Sequence, residues 1–82
     1  MKISLLFLER DHKMSIDTVY NRLLTVFVPK VRYTRVLKNA LFYNAIVIET
    51  DLPDSELYNE VTEILPMIGY IGKYEILKPI EH

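Results

Sequence analysis

SIDTVYNRLLTVFVP, at residues 15–29, is the stretch that decides the fold. Apolar residues recur through it at the three- and four-residue spacing of a helix with one buried face. They are Ile16, Val19, Tyr20, Leu23, Leu24 and Phe27. Ser15 is a preferred N-cap residue, and Pro29 forbids continuation because it lacks a backbone N–H. The stretch therefore predicts an amphipathic first helix.

The segments on either side of this helix predict strands. Met1–Leu8 alternates two largely apolar sets, as expected for a central strand with both faces covered. The sets are Ile3, Leu5, Phe7 and Ser4, Leu6, Leu8. Val31–Leu37 and Phe42–Thr50 are rich in β-branched and aromatic residues, which favour strands. Residues 38–40 between them predict a tight connection.

A second helix follows the third predicted strand. Asp51 and Asp54 around Pro53 form a helix-start signal, and an apolar stripe comes after it. The stripe consists of Leu57, Val61, Ile64, Leu65 and Ile68. We expect this helix either to stop before Pro66 or to kink there and end at Gly69.

A last strand at Tyr70–Leu77, closed by Pro79, completes the order strand, helix, strand, strand, helix, strand. Right-handed crossovers then place both helices on one face of a four-stranded antiparallel sheet, with the first and third strands central. We therefore expect an α+β fold, a ferredoxin-like βαββαβ two-layer sandwich. The 82 residues allow one core, so residues 1–82 are expected to form a single domain.

Composition restricts the binding partners and the cellular compartment that we expect for the protein. Ten basic and eleven acidic residues give a net charge of −1, so no global field attracts nucleic acid or anionic lipid. The absence of cysteine excludes disulfides and thiol chemistry and favours a cytoplasmic protein. No apolar run reaches the ~18 residues of a membrane helix, and the opening segment lacks a signal-peptide cleavage site. We therefore expect a soluble protein that does not engage a membrane.

The predicted sheet carries more apolar side chains than two helices on one face can cover. We expect the excess on the other face, at Leu6, Leu8, Tyr43, Ala45 and Val47. Roughly a few hundred Å² at about 25 cal/mol per Å² would favour a homodimer or a complex with another protein. Tyr74 joins the predicted contacts because tyrosine combines apolar area with a hydroxyl. The alternative is an ordinary open sheet with a few apolar residues on its solvated side.

A local basic stretch accompanies the second predicted strand. It contains Lys30, Arg32, Tyr33, Arg35 and Lys38. These side chains would follow phosphates and stack a base, so a small nucleic-acid-binding protein is the alternative function. Positive side chains also protect an exposed sheet edge against unwanted strand pairing, and both interpretations stay open.

Ionisable residues at the ends of two strands provide a third hypothesis. We expect the exits of the first and third strands to meet and gather Glu9, Arg10, Asp11, His12, Glu49, Asp51 and Asp54. Carboxylates beside a histidine would hold a divalent metal, as in a small metal-dependent nuclease with Glu9 or Asp11 as ligand. The competing explanation is structural, since carboxylates at a helix start stabilise its unpaired amides.

Several catalytic signatures are missing from the sequence. Gly69 and Gly72 are the only glycines, so the chain has neither a glycine-rich phosphate loop nor a nucleophile elbow. We therefore expect a noncatalytic protein, without a cofactor or a resident metal, that acts stoichiometrically on a second copy or on another macromolecule. A small regulator or inhibitor fits this description, including one encoded by a phage or another mobile element.

Overall fold

The computed structural model describes residues 2–39 and 41–78 and shows the βαββαβ order. The strands are β1 (Lys2–Leu8), β2 (Thr34–Lys38), β3 (Ala45–Thr50) and β4 (Tyr74–Leu77). They form one antiparallel sheet in the order β2-β3-β1-β4, which is the ferredoxin-like topology. The helices are α1, at residues 16–30, and α2, at Asp54–Met67. The predicted fold is confirmed, with β1 and β3 in the centre.

The helix α1 has three consecutive segments that differ in hydrogen bonding. They are α-helical Ile16–Arg22, π-helical Leu23–Phe27 and α-helical Val28–Lys30. Ser15 caps the start, since its hydroxyl accepts a hydrogen bond from the backbone N–H of Thr18 at 3.2 Å. Pro29 supplies no N–H, and its ring would crowd the preceding turn of a regular helix. The π-helical turn before Pro29 widens the helix there, so α1 ends one residue beyond the proline.

The helix α2 continues through Pro66 and ends in a Schellman motif. The backbone N–H of Tyr70 donates to the carbonyl of Leu65 at 2.9 Å, and that of Gly69 donates to the carbonyl of Pro66 at 3.1 Å. Gly69 has a φ of 94°, which residues with a Cβ rarely adopt. Of the two predicted helix ends, the one at Gly69 is therefore observed.

Both helices cover the same face of the sheet and bury the core between the two layers. The apolar core includes Leu6, Leu8, Val19, Leu23, Phe27, Val36, Ile46, Ile48, Leu57, Val61, Ile64, Leu65 and Tyr70. Thr34 and Thr50 are cross-strand neighbours at one end of this core, and their buried hydroxyls lie 3.0 Å apart in a hydrogen bond. The pair satisfies two polar groups that would otherwise destabilise the buried layer.

The three later strands begin after their predicted starts. Val31, Phe42 and Tyr70, the predicted first residues, all precede the observed strands. Tyr33 explains the delay in β2, because its φ of 58° is incompatible with an extended strand. The connection between β2 and β3 is correspondingly longer than the tight turn that was predicted. Three predicted boundary residues lie outside the described part of the chain: Met1, Ala40 and Pro79.

Candidate interaction surface

The side of the sheet that faces away from the helices, which we call the open face, carries three rows of side chains. Its residues are Ile3, Leu5, Phe7, Arg35, Leu37, Ala45, Val47, Glu49, Glu75 and Leu77. Successive side chains of a strand point to opposite faces, and the residues between these positions point toward the helices. The open face is therefore defined by strand alternation and register.

The central row of the open face is apolar across all four strands. Leu37 lies opposite Val47, Val47 opposite Leu5, and Leu5 opposite Leu77. Leu77 is 48% exposed, and the other three side chains are half-buried. On the solvated face of an antiparallel sheet such positions are usually polar, because the residues of each strand alternate between the core side and the solvent side. A partner that covered this row would remove contiguous apolar surface from water.

The apolar surface continues toward both ends of the strands. Ile3, which is 46% exposed, lies in the row that also contains Arg35 and Glu49. At the other end, Phe7 packs edge-on against Phe42 of the β2–β3 loop, with their ring centroids 5.2 Å apart. Phe42 remains 45% exposed, so the loop adds to the open face rather than covering it.

Charged side chains occupy two diagonally opposite corners of the open face. Arg35 on the edge strand β2 and its neighbour Glu49 on β3 form an ion pair of 3.7 Å. Glu75 lies on the other edge strand, β4, opposite Phe7. Among the described residues Glu75 has no ion-pair partner. The face therefore has a positive group at one corner and a negative group at the opposite one.

The prediction that Leu6 and Leu8 face away from the helices is wrong. Leu6 is 0% exposed and Leu8 is 7% exposed, and both belong to the core. The other set of β1 occupies the open face instead: Ile3, Leu5 and Phe7. Both sets are apolar, so their alternation does not indicate which one faces the helices. Ser4 is the only polar residue among them, and it is misleading because it points to the core side and is 2% exposed.

The remaining predicted contacts lie in three different places. Val47 is in the centre of the open face. Tyr43 lies in the β2–β3 loop and is largely exposed, with the guanidinium of Arg10 at 5.9 Å from its ring centroid. Tyr74 is on the helix side, where it packs against the core and its hydroxyl hydrogen-bonds with that of Thr62 in α2. Of the five predicted contact residues, Val47 alone lies in a strand on the open face.

The predicted basic stretch does not form one continuous patch. Lys30 lies 3.4 Å from each of two carboxylates of α2, and Lys38 lies 3.9 Å from a carboxylate of α1. Strand alternation sends Arg35 to the open face and Lys38 to the helix side. Arg32 and Tyr33 are exposed in the turn that precedes β2. The basic side chains are thus spread over two sides of an edge strand, and three of the four lie within 4 Å of a carboxylate of the same chain: Lys30, Arg35 and Lys38.

The prediction that the exits of the first and third strands meet is wrong. β1 runs antiparallel to β3, with Lys2 opposite Thr50, so the two exits lie about 20 Å apart at ~3.4 Å per residue. One end holds Glu9, Arg10, Asp11 and His12, and the other end holds Glu49, Asp51 and Asp54. Within residues 2–39 and 41–78, no group of three histidine or carboxylate side chains is placed to hold a metal.

His12 uses both ring nitrogens to hold two loops together. Its Nδ1 accepts a hydrogen bond from the backbone N–H of Met14 at 3.1 Å, so Nε2 carries the hydrogen. That Nε2 donates to the carbonyl of Ile71, also at 3.1 Å. The side chain therefore has a structural role at the exit of β1.

Tyr70 makes the second connection at this end of the molecule. Its hydroxyl accepts a hydrogen bond from the backbone N–H of Glu9 at 2.8 Å and donates to the carbonyl of Lys73 at 2.5 Å. Burial raises the pKa of this hydroxyl. A Cβ on Gly72 would lie 2.9 Å from a carboxylate oxygen of Glu9 and 3.1 Å from the Tyr70 hydroxyl, so the two loops approach each other closely there.

Asp54 takes part in an ion pair at the opposite end of the molecule. Its carboxylate lies 2.6 Å from the Nζ of Lys78, the residue that follows β4. The hydrogen bond from Lys78 lowers the pKa of Asp54, against a smaller opposing effect of desolvation. Asp54 is also the first residue of α2, where the helix dipole favours a negative charge. These contacts support the structural explanation for this carboxylate.

Comparisons of this chain with known protein families, with curated proteins and with solved structures find no match. No helix in the described part of the chain is long and apolar enough to cross a membrane. The open face is therefore the feature on which a functional assignment depends.

Proposed function

We propose that this chain is a noncatalytic interaction protein that acts stoichiometrically through its open face, as a homodimer or by binding another macromolecule. The observation that carries the proposal is the central row of Leu37, Val47, Leu5 and Leu77. This row is apolar across the full width of a sheet face that neither helix covers. A small regulator or inhibitor acts in this way, by occupying a surface of its target.

The size of the apolar surface supports a reversible complex. Roughly 200–400 Å² of apolar surface at about 25 cal/mol per Å² corresponds to about 5–10 kcal/mol before the costs of association. Those costs are on the order of 4–15 kcal/mol, so a moderate affinity is expected. Such an affinity suits a partner that binds and dissociates.

The ionisable groups support binding rather than catalysis. His12 and Tyr70 direct their polar atoms to backbone groups of neighbouring loops. Lys30 and Arg35 lie in ion pairs with carboxylates of the same chain. A cysteine-free sequence also fits a reducing compartment such as the cytoplasm.

The proposal is tested by co-purification from cells that naturally produce the protein. Three tagged forms are compared: the natural chain, Val47→Lys on the open face, and Met67→Lys as the matched control. Met67 is an exposed apolar residue at the end of α2, away from the open face. We expect the natural chain and Met67→Lys to recover the same partner, or an untagged second copy, in a fixed ratio, and Val47→Lys to lose it. Equal recovery by all three forms contradicts the proposal.

A further inference from the structure

We infer that the occupant of the open face is a second copy of this chain, stacked face to face with its strands crossing at about 90°. This inference rests on the proposed function and specifies its partner. The contacts that fix the arrangement are two ion pairs between subunits, each joining Arg35 of one copy to Glu75 of the other.

The positions of these two residues follow from the register of the sheet. Arg35 is on edge strand β2 in the row that contains Ile3, and Glu75 is on edge strand β4 in the row that contains Phe7. Three strand spacings of about 4.8 Å separate them across the sheet, or about 14 Å. Four residues of about 3.4 Å separate their rows along the strands, which is again about 14 Å.

These dimensions make the patch between the two corners nearly square. Arg35 and Glu75 lie at the two ends of one diagonal of this square. When two copies stack face to face, a two-fold axis can lie between the faces and run along the other diagonal. That axis places the Arg35 corner of each copy over the Glu75 corner of its partner. The same rotation turns the strands of one sheet perpendicular to those of the other. Arg35 of each copy then lies over Glu75 of its partner, so both pairs form at once, as an isologous dimer requires.

A dimer in which the strands of the two copies are aligned, rather than crossed, does not produce these contacts. If the axis ran parallel to the strands, Arg35 of one copy would face the end of β4 in the other, two rows from Glu75. Like the orthogonal dimer, that arrangement would bury Leu5 and Val47. The charged corners therefore distinguish the two dimers, whereas the apolar row supplies the affinity in both.

The apolar and charged groups of the face are compatible with self-association. In the orthogonal stack the central rows of the two copies cross at Leu5 and Val47, the middle residues of each row. Arg35 is 63% exposed, and its long 3.7 Å contact with Glu49 leaves guanidinium donors available for Glu75 of the other copy. A net charge of −1 per chain adds little long-range repulsion.

The expected interface is small. A face about 20 Å on each side has a footprint of roughly 400 Å² per copy, below the ~800 Å² of a standard interface. The predicted dimer is therefore a reversible one, with a Kd in the range of about 1–100 μM.

Sedimentation equilibrium of the purified full chain, over about 1 μM to 1 mM, tests this inference. Four forms are compared: the natural chain, Arg35→Glu, Glu75→Arg and the double reversal. We expect a dimer for the natural chain, a Kd weakened at least about tenfold in each single reversal, and recovery of most of that loss in the double reversal. Thermal unfolding followed by circular dichroism confirms that each variant is folded.

Two outcomes overturn the inference. A dimer that the double reversal fails to restore excludes the orthogonal arrangement, and a natural chain that stays monomeric at 1 mM excludes the second copy as occupant. In the monomeric case the proposed function still stands if Val47→Lys, but not Met67→Lys, loses a co-purified partner. If neither substitution has an effect, the proposed function fails as well.

Discussion

Leu5 lies directly opposite Val47 in the two central strands, on the side of the sheet that neither helix covers. The next residue, Leu6, lies opposite Ile46 and is fully buried beneath the helices. Two consecutive leucines therefore have different roles: Leu6 stabilises the monomer, and Leu5 contributes to the surface that a partner would cover.

This division predicts unequal effects of the same substitution at neighbouring positions. Leu6→Ala removes fully buried methyl groups and is expected to lower the free energy of unfolding by about 2–5 kcal/mol. Leu5→Ala is expected to lower the free energy of unfolding by roughly half as much or less, when the protein is dilute enough to be monomeric. Urea unfolding at a protein concentration well below the Kd of the dimer measures both. Equal losses, or a larger loss at Leu5, would contradict the assignment of faces.

The Tyr70 hydroxyl joins the exit of β1 to the loop before β4. Tyr70→Phe leaves the backbone N–H of Glu9 and the carbonyl of Lys73 without this partner, which is expected to cost about 1–3 kcal/mol. Tyr43→Phe is the matched control because the Tyr43 side chain is largely exposed. Denaturant unfolding should show a loss for Tyr70→Phe and almost none for Tyr43→Phe. Similar stability of the two variants would show that the two hydrogen bonds of the Tyr70 hydroxyl do not stabilise the protein.

The end of α2 depends on the left-handed conformation of Gly69. Gly69→Ala is expected to destabilise the protein by about 1–2 kcal/mol, because a Cβ is strained at a φ of 94°. Asparagine tolerates a positive φ better than alanine does, so Gly69→Asn should lose roughly half as much stability as Gly69→Ala. Thermal unfolding of the two variants gives the comparison, and an alanine variant as stable as the natural protein would refute the Schellman end.

The Asp54–Lys78 ion pair predicts a pH dependence of stability. The pKa of Asp54 is lowered from its ordinary value of 3.8 by the hydrogen bond from Lys78. The stabilising contribution is therefore fully present above the unfolded pKa and is lost as the pH falls through the folded pKa.

Asp54→Asn should accordingly be less stable than the natural chain at pH 7 and equally stable near pH 2, as measured by urea unfolding across this range. Lys78→Met serves as the control. It should produce the same convergence at low pH, and combining the two substitutions should add little further loss. A stability difference between Asp54→Asn and the natural chain that does not change with pH would contradict a role for this ion pair.

Sequence patterns predicted the elements and their topology because each rests on a local physical signal. Ser15 and the apolar stripe that follows it mark the first helix, and Gly69 marks the end of the second. The antiparallel sheet follows from chain connectivity once the order of elements is known.

The assignment of the two faces of β1 could not be predicted in the same way. Leu5 and Leu6 are chemically identical, and Ser4 is buried although it is polar. Their directions depend on how the whole sheet packs beneath α1 and α2. The separation of Glu9 from Glu49, in contrast, follows from the predicted topology, because antiparallel pairing of the first and third strands places their exits at opposite ends of the sheet.

Cysteine labelling measures whether the open face is covered in solution. The natural sequence has no cysteine, so Leu77→Cys and Met67→Cys each introduce one thiol, at sites of broadly similar exposure in the single chain, 48% and 65%. Maleimide labelling rates are followed while the protein concentration rises from about 1 μM to 1 mM. We predict that labelling of Leu77→Cys slows as the concentration increases, while Met67→Cys stays unchanged. Equal and constant rates at both sites would contradict the claim that a second copy covers the open face.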